Sequence, residues 1–303
     1  MKISGTVSSK VLILVESAGV DPWKKIEDEA QKKFLRTLFG PSTNLVWING
    51  RSDGDGDHSF HPGVRGLRRQ LKLTGSTSGL FLRKALRAYV SIFQPQAFGV
   101  RKAREFFYGR FRGVETEVSD SRVTMPYPIQ IHIAGIRAIE TFRHALNHFE
   151  FDYLVRISST CLVRPEPLFE FIAGLPSKRV FAGRPTSFGF SVFMSGSATV
   201  FSRDVVEGIV HHERDLILST YEDVALSLLI RSKKLADFHE LRVSNVLQPS
   251  DLPNDIQDWE GIPIVRCKAE AATHSSELVM SNMKAVMKFL LTGRAEPPQG
   301  PSP

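Results

Sequence analysis

The chain has 303 residues, 42% of them apolar and 23% charged, with 39 Lys and Arg against 32 Asp and Glu for a net charge of +7. A chain this long and this apolar can bury a core, which excludes disorder throughout, and two cysteines, Cys161 and Cys267, exclude a disulfide framework and suit a reducing compartment. No run of about 18 apolar residues is present, so no spanning helix is expected; Met1 to Thr6 hold one cation and no apolar core of signal length, so export is not expected either.

In chain order, Lys10-Val11-Leu12-Ile13-Leu14-Val15 predicts a buried strand, followed by a turn over 17–21 and a helix over 22–39 with Pro22 in its first turn. Gly40-Pro41 ends that helix, and Leu45-Val46-Trp47-Ile48 predicts the next strand. The order strand, helix, strand implies a parallel pair joined by a crossover. Residues 49–66 read as an exposed turn. Asp53, Asp55 and Asp57 alternate as in a calcium loop, but His58 stands where the sixth position needs Gly and Val64 where the twelfth needs Glu. His58 and His61 are given no metal role.

The charge is concentrated in one segment. Residues 65–112 hold twelve Lys and Arg and one acid, Glu105, a net +11 that leaves the rest of the +7 chain at −4. A mildly acidic globule with one strongly basic insert attracts phosphate-rich partners such as anionic lipid, nucleic acid or a diphosphate. Within the insert, residues 80–93 place Arg83, Lys84, Arg87 and Ser91 on one stripe of an otherwise apolar helix. The favoured reading is a helix packed on its own domain with its cations reaching water. The alternative is a helix lying in a membrane interface, although such helices show a broader polar face. No nucleic-acid recognition motif accompanies the charge.

Beyond the insert, a helix is expected over 129–149, a buried strand over 151–157 ending in Ser158-Ser159-Thr160, and a second short strand at Cys161-Leu162-Val163 stopped by Pro165 and Pro167. A helix to about Ala173 follows, then strands over 180–184 and 193–201. Ser202-Arg203-Asp204 is expected to cap a helix over 205–211, and Glu222-Asp223 opens another over 224–230. A final helix is expected over 276–291, and 294–303, with four prolines, reads as a disordered tail. Alternating strands and helices argue for one α/β domain over 1–293, a Rossmann-like mixed sheet flanked by helices.

The order Arg156-Ile157-Ser158-Ser159-Thr160, then Ser195-Gly196-Ser197 running to Ser202-Arg203-Asp204, then Glu222-Asp223-Val224, resembles the GT-A-type glycosyltransferases of the fringe and β-1,3-galactosyltransferase kind. In that family one strand reads like Lys-Thr-Asp-Asp-Asp, a later one like Ser-Gly-Gly-Gly-Tyr-Val-Leu-Ser-Arg-Asp, and a Glu-Asp-Val or Asp-Asp-Val follows. The resemblance runs over 123–232 and extends more faintly to 10–48 and 262–291. It implies a GT-A-like fold and an inverting sugar transfer in which Asp223 is the catalytic base, with Glu222 in reserve. It also implies that Ser195, Gly196 and Ser197 border the sugar or acceptor, and that the turn after the first strand, Glu16 and Ser17 onward, holds the nucleotide base.

One departure is large. Where the family has the Asp-x-Asp that binds Mn²⁺ or Mg²⁺, this chain has Ser158, Ser159 and Thr160, and neutral hydroxyls are poor ligands for such ions. No cofactor is therefore expected, with Mn²⁺ or Mg²⁺ kept as the alternative although its usual Asp-x-Asp ligands are absent, and the leaving diphosphate would be stabilised by cations: Arg137, Arg156, Arg266 and Lys268. Three plainer readings stand beside these. The hydroxyl triple could simply end a strand, Glu222 and Asp223 could simply favour the positive end of a helix, and Gly196 could serve close strand packing. Asp204 reads as a helix-start acid, His274 as a surface or phosphate-contacting histidine, and Cys161 as a small buried filler.

The expectation is thus a metal-independent hexosyltransferase using a UDP-sugar and acting on a glycan or lipid-linked acceptor. It would work in polysaccharide biosynthesis from the cytoplasm, with residues 80–112 docking on an anionic membrane surface at the inner face and no nucleic acid as partner. The alternatives are a catalytically inactive relative that binds or scaffolds, and a basic peripheral or nucleic-acid-binding protein.

Overall fold

The computed structural model describes residues 10–16, 31–39, 44–51, 117–119, 122–128, 134–188, 191–217, 221–268 and 276–293. The basic insert 65–112, the loop residues 52–66, Ser17, His274 and the tail 294–303 lie outside the described residues.

Two parallel neighbours open the fold as the apolar runs anticipate. Strand β1 (Val11–Glu16) pairs with β2 (Asn44–Arg51) on one side and with β5 (Tyr153–Ser158) on the other, both parallel. The described part of the first helix, α1 (Lys32–Phe39), ends at the residue before Gly40-Pro41. Strand β8 (Ser191–Ser202) then runs antiparallel to β5, β7 (Val180–Phe188) antiparallel to β8, and β9 (Asp237–Glu240) parallel to β7. At the other edge, β3 (Glu117–Ser119) and β4 (Arg122–Pro128) complete an eight-stranded mixed sheet of order β3-β4-β2-β1-β5-β8-β7-β9. A second, three-stranded sheet joins β10 (Val243–Val246), β11 (Ile264–Cys267) and β6 (Cys161–Val163). The architecture is the expected mixed α/β sheet flanked by helices. The second sheet is an addition to it, and the short run at 161–163 belongs there rather than to the main sheet.

Strand alternation divides the core in two, because successive side chains point to opposite faces. Ile13, Val15, Trp47, Val155 and Ile157 pack on one face with α1, the small sheet, α3 (Pro165–Ala173) and α6 (Ser276–Thr292). Leu12, Leu14, Val46, Ile48 and Leu154 pack on the other with α2 (Ala134–His148), α4 (Arg203–His211) and α5 (Glu222–Ser232). On this second face Phe142 of α2 meets Phe201 edge-on at 5.2 Å, and Phe201 stacks on Phe181 at 4.9 Å. Among the described residues no helix is long and apolar enough to cross a membrane.

Ser202 occupies the cap position of α4, but its hydroxyl does not cap the helix. It donates to Asp204 at 2.6 Å and accepts from the Val180 N–H at 2.9 Å, while the Asp204 carboxylate accepts from the Arg179 N–H. The Ser-Arg-Asp triplet thus ties β8 to the start of β7, and Asp204 is held away from the strand tips considered below.

Gly183 is required by packing. A Cβ there would lie 2.8 Å from Met194 Cβ, beside a register shift in the β7–β8 ladder. Gly183→Ala is expected to lower stability by about 1–3 kcal/mol, as overpacking does. Urea unfolding checks this, and an unchanged midpoint would mean that the two strands separate without cost.

Candidate functional site

The carboxyl ends of β1 and β5 lie side by side, with Glu16 opposite Ser158 in the parallel register. The antiparallel partner β8 sets Ala198 against Ile157, so Ser197 and Gly196 arrive at the same tip. Open α/β sheets bind ligands at such carboxyl ends. Strand register brings three of the expected site segments together, Glu16, the hydroxyl triple and Ser195 to Ser197, and α5 adds Glu222 and Asp223 through contacts with Arg156 and Gly196.

The centre of this tip is a buried ionic cluster. Arg156, 3% exposed, donates to Glu16 at 2.6 Å and is ion-paired with Glu222, while Arg137 of α2 stands 3.9 Å from Glu16. One guanidinium cannot fully compensate two buried carboxylates, and their environments separate them. Burial opposes the charge on Glu16, but Arg156 and Arg137 together outweigh it and hold its carboxyl below the ordinary range. Burial dominates at Glu222: despite Arg156, and with Glu16 adding repulsion, its carboxyl is pushed up to about 8.

Arg137 and Arg156 were expected to face a diphosphate. The structure instead commits Arg156 to two acids and sets Arg137 beside one of them. Glu16, expected at a nucleotide-base pocket, directs its side chain into this same cluster.

A folded-state pKa above the unfolded value means that the native protein holds its proton longer. Glu222 therefore stabilises the fold fully below about pH 4.5, and that contribution is lost as pH rises towards about 8. Glu222→Gln is expected to flatten the decline in stability between those limits. Urea unfolding at pH 5 and pH 8 measures it, and equal slopes in the two proteins would contradict the assignment.

Asp223, next along α5, is partly buried and is held by backbone. Its Oδ2 accepts from the Gly196 N–H at 3.1 Å and its Oδ1 from the Val224 N–H at 2.9 Å. Each oxygen keeps a second lone pair for a ligand hydroxyl. A Cβ on Gly196 would meet Asp223 only at an ordinary 3.4 Å, so close packing does not require glycine here. What the segment supplies is its N–H. Ser195 and Ser197 share a 3.2 Å hydrogen bond between their hydroxyls.

Two hydroxyls of the triple are turned on each other. Ser158 Oγ lies 3.1 Å from Thr160 Oγ1 and 3.2 Å from the Cys161 thiol, which donates to the Ser197 carbonyl at 3.1 Å. Burial raises the Cys161 thiol, consistent with the filler role. The residues present do not suit a divalent cation. The strand end offers hydroxyls, the neighbouring Glu16 and Glu222 are engaged by Arg156, and no group of three acids, histidines or cysteines arranged for a metal occurs among the described residues.

Arg266 and Lys268 sit on the other side of that turn. Arg266 is directly opposite Cys161 in the β6–β11 ladder, and the Cys267 N–H donates to the Thr160 carbonyl at 2.9 Å. Sequence reasoning missed Arg184 of β7, whose guanidinium is a neighbour of Lys268. Nothing local marks it, because its place depends on the pairing of β7 with β8.

No family model matches this sequence, and no curated protein does. Among solved structures, the chain is similar to the apo-form glycosyltransferase GlyE of Streptococcus pneumoniae TIGR4, with a TM-score of 0.39 and 11% identity, over 94% of this chain and 64% of that one. A second structure of GlyE from the same organism gives a TM-score of 0.37 and 8% identity over 97% and 66%. The chain thus spans a little under two thirds of the structures it matches. Similarity of that degree leaves the function to be decided by this chain's own residues.

Proposed function

We propose that the chain is an inverting, metal-independent hexosyltransferase that moves a sugar from a UDP-sugar to a glycan or lipid-linked acceptor. The observation that carries this reading is the placement of the Asp223 carboxylate against the Gly196 backbone, at the strand tips that also hold the hydroxyl triple. In the reaction, an Asp223 oxygen takes the proton of the acceptor hydroxyl as that oxygen bonds to the anomeric carbon. The bond from the anomeric carbon to the diphosphate breaks on the opposite side, and the electron pair leaves with UDP. Charge accumulating on the diphosphate is met by fixed cations, Arg266 and Lys268, in place of a metal. Arg156, Glu16 and Glu222 keep the start of α5 docked on the β1 and β5 tips and so position Asp223.

The basic insert 65–112 supplies the acceptor side of this reading by docking on anionic lipid at the cytoplasmic membrane face. Vesicles of phosphatidylglycerol are expected to bind the protein with strong salt dependence, and duplex DNA is not expected to compete.

The test is incubation of the purified chain with a panel of UDP-sugars in EDTA, reading UDP release with and without glycan acceptors. Release or transfer supports the reading, and absence of both binding and turnover for every donor contradicts it. The internal hydrogen bonding of Ser158, Thr160 and Cys161 favours one second reading, a degenerate transferase fold that binds or scaffolds. That reading predicts no thermal shift with any UDP-sugar.

A further inference from the structure

We infer that Arg184, Arg266 and Lys268 form a metal-free binding site for the pyrophosphate group of a nucleoside diphosphate, built jointly by the two sheets. The inference deepens the transferase reading by naming what holds the donor. Strand register supplies the geometry. Arg266 lies directly opposite Cys161, and directly opposed residues of an antiparallel pair share a face. The Cys161 thiol reaches the Ser197 carbonyl of β8, so that face looks towards the Ser195–Ser197 segment. Lys268 follows Arg266 by two and keeps the ladder one residue further, its N–H donating to the Val246 carbonyl at 2.9 Å, so it lies on the same side. Arg184 follows Val180 and Ala182 at the alternation of β7, and those two side chains pack in one core cluster with Cys161, Ile264 and Cys267 of the small sheet, so Arg184 leaves β7 on the side of that sheet. The Thr160 carbonyl accepts from the Cys267 N–H at 2.9 Å, which holds the turn after β5 against the edge of β11.

The charge of this group is uncompensated. Among the described residues none of the three cations pairs with a carboxylate, unlike Arg137 and Arg156. Arg266 Nε is buried without a hydrogen-bond partner. Burial first, then the guanidinium groups of Arg266 and Arg184, lower the Lys268 ammonium below the ordinary lysine range. Three cations gathered beside a strand end, with no carboxylate of the described residues in ion-pair distance, are mutually repulsive, and a polyphosphate relieves that repulsion while its oxygens match the planar donors of arginine.

The experiment is isothermal titration of the full chain with sodium pyrophosphate in EDTA, on the wild type, Arg184→Ala, Arg184→Lys and Lys268→Met, each checked for folding by circular dichroism. The wild type is expected to bind, Arg184→Ala and Lys268→Met to bind at least about tenfold more weakly, a loss of about 1.4 kcal/mol, and Arg184→Lys to recover part of the loss. No binding by the wild type overturns the inference, as does undiminished binding by folded Arg184→Ala and Lys268→Met, which would place the pyrophosphate elsewhere. UDP and farnesyl diphosphate identify the source. UDP binding more tightly than pyrophosphate supports the donor site, whereas a preference for the prenyl diphosphate overturns the assignment to a nucleotide. Pyrophosphate binding that depends on Arg184, without transfer from any UDP-sugar, retains this site and removes the transferase reading. Transfer that depends on Asp223 but is indifferent to Arg184 does the reverse.

Discussion

Asp223→Asn is expected to lower sugar transfer by about 10²–10⁴-fold while leaving UDP binding within about a factor of three, the range attributed to a positioned general base. The substitution keeps shape and removes basicity. Asp223 accepts one backbone N–H on each oxygen, from Gly196 and from Val224, and an asparagine carbonyl oxygen can keep only one of them. The amide nitrogen then faces the other donor, so a stability loss of about 1 kcal/mol accompanies the loss of rate. Single-turnover UDP release and UDP titration separate the two effects. A variant with unchanged turnover would remove Asp223 from the chemistry. A variant that loses UDP binding as well would show that the carboxylate works through the backbone of the Ser195–Ser197 segment.

Arg156→Met is expected to destabilise the protein by about 3–5 kcal/mol, the cost of leaving buried charge without its partner. Arg156 alone touches both Glu16 and Glu222, and Arg137 reaches Glu16 only at 3.9 Å. Without Arg156, Glu16 would have to take up a proton or draw water into the core. The double variant Arg156→Met/Glu16→Gln is expected to recover part of the loss, because Glu16, the acid of the pair that stays charged at neutral pH, is then neutral by construction. Urea unfolding near pH 7 measures both. A loss below about 1 kcal/mol for Arg156→Met would mean that the cluster is solvated in the native state, and that the high pKa of Glu222 has another cause.

Much of this arrangement was legible in the sequence. Apolar runs located β1, β2, β5 and β8 because each is buried on both faces and needs continuous hydrophobicity. The helices at 165–173 and 276–292 announced themselves through Pro165 and through long periodic apolar spacing. The strands that escaped are those whose residues carry no such signature. Strand β9, Asp-Phe-His-Glu, is a short polar edge, β10 and β11 have four residues each, and β4 contains Pro126 and Pro128. Of the site, the resemblance implied separate roles for Gly196 and Asp223, and the structure joins the two by a hydrogen bond. The fate of the arginines was not legible. Whether Arg156 faces a ligand or a carboxylate depends on Glu16, 140 residues away in sequence, and on the first turn of α5. Local spacing is silent about pairings of that range, and the same holds for Arg184 beside Lys268.

The account turns on cations, with no metal, holding a diphosphate within reach of Asp223. A crystal structure of the chain grown with UDP and Mn²⁺, with anomalous data collected at the manganese edge, tests it most directly. The expected result is a diphosphate within hydrogen-bond distance of Arg266 and Lys268, on the side of the strand tips that Asp223 faces, and no anomalous peak beside it. A manganese peak between the diphosphate and residues 158–160, or UDP seated away from the tips of β1 and β5, would contradict it.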